Sequence, residues 1–174
     1  IGSWKDDKRN GDGEQIFSDR TRYIGEWKDN LPHGKGTQIW PEGEIYEGDF
    51  QHGRKEGNGE YVWTDNTRYI GQWEKDLPNG NGIILGPNGD KYTGQIVNGK
   101  KDGEGEYIYP SKHHYIGQWK DDCRQGQGKI IFDGVLITSG TWDKDELLNS
   151  SIKTTDLNKH VKIDTIKSFP REEF

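Results

Sequence analysis

The sequence predicts an all-β fold, a single-layer, elongated ribbon of antiparallel β-hairpins that forms a solenoid-like array and ends in a short non-repeat tail. Three observations predict it: glycines recur every 23 residues, aromatic residues stand at fixed offsets from those glycines, and turn-forming residues separate the segments that carry both. A repeat of this length is typical of stacked units, each of which buries its apolar surface against its neighbours.

Three glycine columns define the repeat. A second and a third glycine follow the first at offsets of 9 and 11 residues, so that 19 of the 25 glycines fall in register. The first column is Gly2, Gly25, Gly48, Gly71, Gly94, Gly117 and Gly140. Chance composition does not produce such a pattern, and a disordered chain has no reason to keep it.

Large rings flank the first glycine of each unit. A tyrosine lies two residues before it, a tryptophan or another large apolar residue two after it, and a further aromatic column fifteen after it. Side chains alternate between the faces of a strand, so Tyr-x-Gly-x-Trp places both rings on one face. The glycine between them leaves room for a ring to lie on the backbone.

Turn signals separate the two strands of each unit and join successive units. Residues 28–33 include Asp29, Asn30 and Pro32, which favour a turn, and residues 41–43 and 87–89 have the pattern Pro-x-Gly. Connections this short require antiparallel neighbours. Each unit is therefore predicted to be strand, turn, strand.

The chain divides by composition into two parts. Residues 1–142 form the array of about six units, and residues 143–174 contain no glycine. Residues 143–149 suit the start of a short helix and residues 161–166 a strand or a helix. The tail is expected to cap the edge of the last hairpin or to serve as an arm for a partner. Because Ile1 falls in mid-repeat, an earlier repeat is expected to precede it.

The pattern Tyr-x-Gly-x-Trp, followed after a short gap by His-Gly-x-Gly, resembles the MORN (membrane occupation and recognition nexus) repeat. Residues 33–36, His-Gly-Lys-Gly, are the best copy, and the resemblance covers residues 1–142. Single units depart from it, with Phe50 or Ile96 in the tryptophan column and Thr138 in the tyrosine column. The resemblance implies a scaffold whose repeats bind helices or peptides and often dimerise, as in ciliary and cytoskeletal proteins of this family.

The aromatic columns have two compatible interpretations. They are expected to hold adjacent hairpins together, and a one-layer ribbon should also leave part of them exposed as a groove for a helix or peptide of a partner. The residues predicted to line this groove are Tyr23, Trp27, Trp40, Tyr46, Phe50, Trp63, Tyr69, Trp73, Tyr92, Tyr109, Tyr115 and Trp119.

The opposite face carries an aliphatic column from Ile16 to Ile131, joined in alternate units by Ile24, Ile70 and Ile116. This apolar surface should be covered by sheet twist, the tail, a second copy or a host assembly, so the isolated chain is expected to self-associate.

A doubled period of 46 residues also separates two kinds of unit. It indicates either duplication of a two-unit block or a partner that contacts every other unit.

Charge and composition exclude several classes of protein. The net charge is −6, which disfavours generic binding to nucleic acid or to anionic lipid. The longest aliphatic runs are three residues, too short to span a bilayer. The single cysteine, Cys123, excludes an intrachain disulfide framework and suits a reducing compartment.

No catalytic residue, metal site or cofactor is predicted. The five histidines do not stand at metal-ligand spacing, and Cys123 occupies a turn position held by Leu31 and Leu77 in sister units. The glycine-rich segments lack the strand–glycine loop–helix context of a phosphate site. They are interpreted as hairpin glycines.

The favoured function is therefore a non-catalytic cytoplasmic scaffold that positions other proteins, with a cytoskeletal or ciliary setting implied by the family resemblance. A possible homodimer or host assembly would cover its apolar face. The alternative is a membrane- or phosphoinositide-binding module that uses the basic pairs Arg54/Lys55 and Lys100/Lys101. A further alternative is a regulatory region of an enzyme whose catalytic domain lies outside these residues.

Overall fold

A computed structural model describes residues 2–151, which form one 14-stranded sheet. The strands lie in chain order and each pairs antiparallel with the next, so every unit is a hairpin hydrogen-bonded to the hairpins on either side. This described range contains no helix, and hence none long and apolar enough to cross a membrane. The predicted single-layer antiparallel ribbon is confirmed.

The strands are β1 (Gly2–Lys5), β2 (Lys8–Ile16), β3 (Arg22–Lys28), β4 (Leu31–Ile39), β5 (Ile45–Gln51), β6 (Arg54–Val62), β7 (Arg68–Glu74), β8 (Leu77–Leu85), β9 (Lys91–Val97), β10 (Lys100–Ile108), β11 (His113–Lys120), β12 (Cys123–Phe132), β13 (Val135–Asp143) and β14 (Glu146–Ser151).

The helix predicted at residues 143–149 is wrong. Strand β13 ends at Asp143, Lys144 and Asp145 form a turn with φ of 46° and 71°, and β14 returns along β13. The hydrogen-bonding edge of β13 outweighs the weak local preference for a helix. The prediction for residues 161–166 lies outside the described residues, and the division of the chain after residue 142 stays a prediction.

The turn inside each unit is shorter than the sequence predicts. Asp29 and Asn30 alone connect β3 to β4, with φ of 49° and 70°. Positive φ at both central residues is the mark of a two-residue type I′ turn, which matches the twist of the flanking strands. Pro32 and His33 therefore belong to β4, and Pro32 pairs across the hairpin with Trp27.

A bulge explains the second glycine column. Between the pairs Gly25–Gly36 and Trp27–Pro32, one residue of β3 faces three residues of β4. Gly34 is the middle one of the three and has a φ of 61°. Side chains other than glycine rarely adopt this backbone conformation. The second glycine column is therefore required by the backbone conformation of the bulge, and not only by the packing of rings.

An acceptor side chain closes each bulge from the first strand of the hairpin. The Glu26 carboxylate accepts a hydrogen bond from the N–H of Lys35 at 2.8 Å. The same contact is made in later units by Asp49, Gln72, Gln95 and Gln118. The bulged N–H needs a side chain with a carbonyl or carboxylate oxygen of this reach. This requirement explains why Glu, Asp or Gln follows the first glycine in these units.

The tyrosine rings lie on glycine backbone, as predicted. A Cβ added at Gly59 would stand 2.5 Å from Oη and 2.6 Å from Cζ of Tyr46. The Tyr46 hydroxyl donates to the carbonyl of Asp49 at 2.9 Å. The first and third glycine columns therefore form the surface on which each tyrosine rests.

Edge-to-face contacts between these rings form the core. Tyr46 meets Phe50 of its own unit and Trp73 of the next, with ring centroids 5.1 Å and 5.0 Å away. Tyr115 sits in the same way between Trp119 and Trp142. This geometry is favourable for aromatic pairs beyond their buried area. Consecutive units are therefore joined by rings rather than by a conventional two-layer core.

The buried tyrosines predict loss of stability at alkaline pH. Burial raises the pKa of Tyr69 to about 12, and it also raises the pKa values of Tyr23, Tyr46, Tyr92 and Tyr115. An unfolded phenol has a pKa of about 10. The tyrosines' contribution to folding is therefore complete below pH ~10 and is lost as pH rises from there through the folded-state pKa values. We expect the urea midpoint to fall across this window.

The matched variant is Tyr69→Phe. It removes one titrating group and should lessen the decline of the midpoint above pH ~10, while the lost hydrogen bond to the Gln72 carbonyl lowers stability by about 1 kcal/mol at neutral pH. A midpoint in the wild-type protein that does not change between pH 9 and 12 would contradict this coupling.

Candidate functional site

Nine of the twelve residues predicted to line a partner groove are buried. Their exposed fractions run from 0% to 5%, because each ring is covered by glycine backbone and by rings of the neighbouring unit. They are Tyr23, Trp27, Tyr46, Phe50, Tyr69, Trp73, Tyr92, Tyr115 and Trp119. A partner cannot contact these side chains in the folded sheet. Of the twelve predicted groove residues, only the remaining three are accessible to a partner.

The remaining three, Trp40, Trp63 and Tyr109, are half-buried and pack against the edge of the core. They belong to the column fifteen residues after the first glycine, which also contains Phe17 and Phe132. We call these five residues the aromatic strip. Gly86 interrupts the column, and the Asp90 carboxylate fills the space that a side chain would take there.

A repeated turn fixes the positions of four of the five strip residues, Phe17, Trp40, Trp63 and Tyr109. Trp40 follows β4, its N–H donates to the Glu44 carbonyl at 3.0 Å, and its own carbonyl accepts from Gly43 at 3.0 Å. The same pair of hydrogen bonds recurs at Phe17, Trp63, Gly86 and Tyr109. Equivalent residues of consecutive units, such as Phe17, Trp40 and Trp63, are thus two strands apart, about 9.6 Å at the usual strand spacing.

The central rings of the strip are held by a buried tyrosine. The Tyr61 ring centroid is 5.4 Å from that of Trp40 and 4.7 Å from that of Trp63. The Tyr61 hydroxyl donates to Glu44 at 2.5 Å. Burial raises the pKa of Tyr61 above its usual range, so this phenol remains a neutral donor at physiological pH.

Acidic side chains border the strip in the first units. Residues 18–21, 41–44 and 64–67 carry Asp19, Glu42, Glu44 and Asp65 against Arg20 as the single cation. The N–H and hydroxyl of Thr67 donate to Asp65 and hold the pKa of its carboxyl below the usual range. The surface beside Trp40 and Trp63 is therefore anionic at neutral pH.

The basic pairs proposed to bind lipid are not surface patches. Lys101 is 2% exposed, with its ammonium 4.8 Å from the Trp119 ring centroid and 4.9 Å from that of Tyr107. Lys55 is enclosed by aromatic rings in the same way, and burial lowers its pKa. Each pair thus presents only one exposed cation, and Lys100 is ion-paired with Asp121 at 3.3 Å.

Contacts between successive hairpins explain much of the doubled period. The tip residue Asp76 accepts from the N–H of Lys55 through its carboxylate, and its own N–H donates to the Lys55 carbonyl. Asp122 binds Lys101 in the same way. The intervening units replace this pair by proline and glycine, where Gly53 donates to the Pro32 carbonyl. The alternation of basic and proline residues therefore follows from contacts inside the chain.

The described residues contain no group of three or more His, Cys, Asp or Glu placed to hold a metal ion. The rings of His33 and His52 approach to 5.7 Å in an edge-to-face contact between neighbouring hairpins. Cys123 is half-buried at the start of β12. The two histidine rings thus pack one hairpin against the next, and Cys123 lines a cleft together with Arg124 and Asp145.

The opposite face of the sheet has a shallow groove with a glycine floor. Ile24 and Ile70 stand along it with 38% and 37% of their surface exposed. Its floor is backbone of Gly25, Gly48 and Gly71. The predicted aliphatic face is thus open in the described residues, and the self-association expected from it stays a prediction.

Comparison with known proteins identifies the repeat. The family model for the MORN repeat matches six consecutive segments, residues 1–22, 23–45, 46–68, 69–91, 92–114 and 115–133. No curated protein sequence matches the chain significantly.

Two solved structures have a similar sheet. One is the TCP domain of SAS-4 (dCPAP) of Drosophila melanogaster in complex with a proline-rich motif of Ana2 (dSTIL), with a TM-score of 0.46 and 18% identity over 80% of this chain and 79% of that one. The other is the wild-type TCP10 domain of Danio rerio CPAP in complex with a peptide of Danio rerio STIL, with a TM-score of 0.44 and 16% identity over 78% of this chain and 66% of that one.

Proposed function

This chain belongs to the MORN repeat family, and we propose that it is a non-catalytic scaffold that binds other proteins through the aromatic strip and positions them in a larger assembly. The assembly we propose is cytoskeletal or ciliary, in the cytoplasm. The family resemblance supports the proposed setting, and the geometry of the strip supports the proposed binding surface.

The accessible rings of the strip carry this proposal. The fold needs the buried rings for its own cohesion, but Trp40 and Trp63 remain half-exposed on a backbone whose position repeats from unit to unit. Large aromatic side chains held rigidly at a surface lose little conformational entropy on binding and are enriched at protein interfaces. A row of them is a surface suited to a protein segment.

Two observations favour a protein partner over a lipid surface. Two of the four cations expected to contact headgroups, Lys55 and Lys101, are enclosed by aromatic rings inside the sheet. The strip itself is bordered by Glu42 and Asp65, which repel anionic headgroups. Anionic lipid would have to bind against this charge.

The test is site-specific photo-cross-linking in an extract of the native cells. Benzoylphenylalanine replaces Trp63 in one protein and Ile24, on the opposite face, in a matched control. We expect protein adducts from position 63, with cytoskeletal or axonemal proteins among them. Adducts that form only from position 24, or adducts of lipid alone, would overturn the assignment of the strip.

A further inference from the structure

The strip has a repeat distance that restricts the conformation of its ligand. Phe17, Trp40 and Trp63 occupy equivalent positions in consecutive units, so the backbone positions that carry neighbouring rings are about 9.6 Å apart along the direction that crosses the strands. Gly86 ends this run. The uninterrupted row therefore contains three aromatic residues and spans about 19 Å.

Polyproline II is the regular conformation that fits this distance with side chains on one face. It advances about 3.1 Å per residue with three residues per turn, so positions i, i+3 and i+6 lie on one side about 9.3 Å apart. A β-strand covers three residues in about 10 Å, but i and i+3 then point to opposite faces. A helix returns to the same face after seven residues, about 10.5 Å, and would be out of step by nearly 2 Å at the third ring.

The charge beside the rings indicates the composition of the ligand. Around Trp40 and Trp63 the connectors carry Glu42, Glu44 and Asp65 without a cation of their own. The ammonium of Lys55 lies 4.8 Å from the centroids of Tyr61 and Trp73 and 5.2 Å from that of Trp40, so it offsets one of these three carboxylates. A ligand with lysine or arginine between its apolar residues would complement this border.

We propose that Phe17, Trp40 and Trp63 bind a proline-rich, basic segment of a partner protein in the polyproline II conformation, with one proline on each ring at positions i, i+3 and i+6. This rests on the proposed function and names the class of its ligand. Proline rings pack well on aromatic faces, and a segment already extended loses little entropy on binding. Ring spacing and charge in this chain carry the proposal.

The later units are not equivalent. Gly86 leaves a gap between Trp63 and Tyr109, and the connector after Tyr109 carries Lys112 and His113 in place of acids. His113 stacks on Phe132 at 4.5 Å. The polyproline ligand is therefore confined to the first three units.

The experiment measures binding of the full chain to synthetic peptides by isothermal titration calorimetry. The first peptide is four repeats of Pro-Pro-Lys, which places a proline at every third position. Four repeats of Gly-Ser-Lys keep the charge and remove the conformation, and a lysine-bearing amphipathic helix of equal charge represents the helical alternative. We expect the proline peptide to bind at least tenfold tighter than either.

Two variants locate the site. Trp63→Ala removes a ring and should weaken binding at least fivefold. The double variant Glu42→Gln with Asp65→Asn removes charge while Asn keeps an acceptor for Thr67, so folding is preserved and binding at low salt should weaken roughly threefold. The control, Glu47→Gln, removes an exposed carboxylate from the opposite face and should change nothing.

The outcomes separate this inference from the function on which it rests. Equal binding of the proline and glycine peptides, or insensitivity to the charge double variant, would overturn the polyproline ligand. Binding of the helical peptide that depends on Trp63 would also overturn it, yet leave the strip as a protein-binding surface. If position 63 gives no protein cross-links either, the proposed function itself fails.

Discussion

A Gly59→Ala variant is expected to lose about 3 kcal/mol of unfolding free energy or more, although only one methyl group is added. The new Cβ would lie 2.5 Å from the Tyr46 hydroxyl oxygen and 2.6 Å from two ring carbons. Tyr46 has no room to move, because it is fully buried between Phe50 and Trp73. Urea unfolding followed by tryptophan fluorescence measures the loss.

The matched control for this prediction is Gly43→Asn. A side chain at Gly43 would meet nothing within 4 Å, and asparagine fits there once the φ of 103° relaxes toward the left-handed region. The sister turn already has an asparagine, Asn66, with a φ of 71°. We expect a change within about 0.5 kcal/mol. If both variants lose the same stability, ring-on-glycine packing is not what the third glycine column provides.

The second large effect is expected at Lys101. In Lys101→Glu a carboxylate replaces an ammonium that is 2% exposed and faces the rings of Tyr107 and Trp119. A negative charge is repelled by an aromatic face and is costly to bury without a partner. We expect a loss of about 3–5 kcal/mol in unfolding free energy, or failure to fold.

Lys100→Glu is the control with the same change in net charge. Lys100 is exposed, and its ion pair with Asp121 is open to solvent, so its loss should cost at most about 1 kcal/mol. The two variants also test the lipid alternative. If Lys100→Glu and Lys101→Glu were equally stable and both abolished binding to anionic vesicles, Lys101 would be a surface residue and its assignment to the core would be wrong.

Much of the fold could be predicted because its determinants are local. Alternation of side chains puts Tyr23 and Trp27 on one face, and two-residue turns force β3 and β4 to be antiparallel. The predicted packing of the tyrosine rings on glycine backbone is also observed. Where local preference was the only guide, as at residues 143–149, the prediction failed because a neighbouring strand supplied hydrogen bonds that the pattern does not show.

The candidate site was harder to predict, because accessibility is a property of neighbours. Trp27, Trp40 and Trp63 look alike in sequence, yet Trp27 is 4% exposed because Tyr23 of its own unit and Arg9 of the preceding unit cover its ring. The other two remain half-buried at the connectors. The signal that could have separated them was position: Trp40 and Trp63 immediately precede turn residues, where a strand no longer has neighbours on both sides. Their shared spacing from glycine predicts one groove for the whole set.

The 23-residue period, the hairpins, the two faces of the sheet and the absence of a phosphate-loop motif were determined by the sequence alone, since backbone alternation and turn chemistry act within a few residues. Tertiary structure decided the bulge at Gly34, the enclosure of Lys101 and the exposure of Trp40. The bulge depends on pairing within one hairpin. The enclosure of Lys101 and the exposure of Trp40 depend on residues about one repeat away, such as Trp119 and Tyr61, that come into contact only when hairpins pair. The burial of these two side chains is set by the pairing of hairpins, and the sequence of a single unit does not determine it.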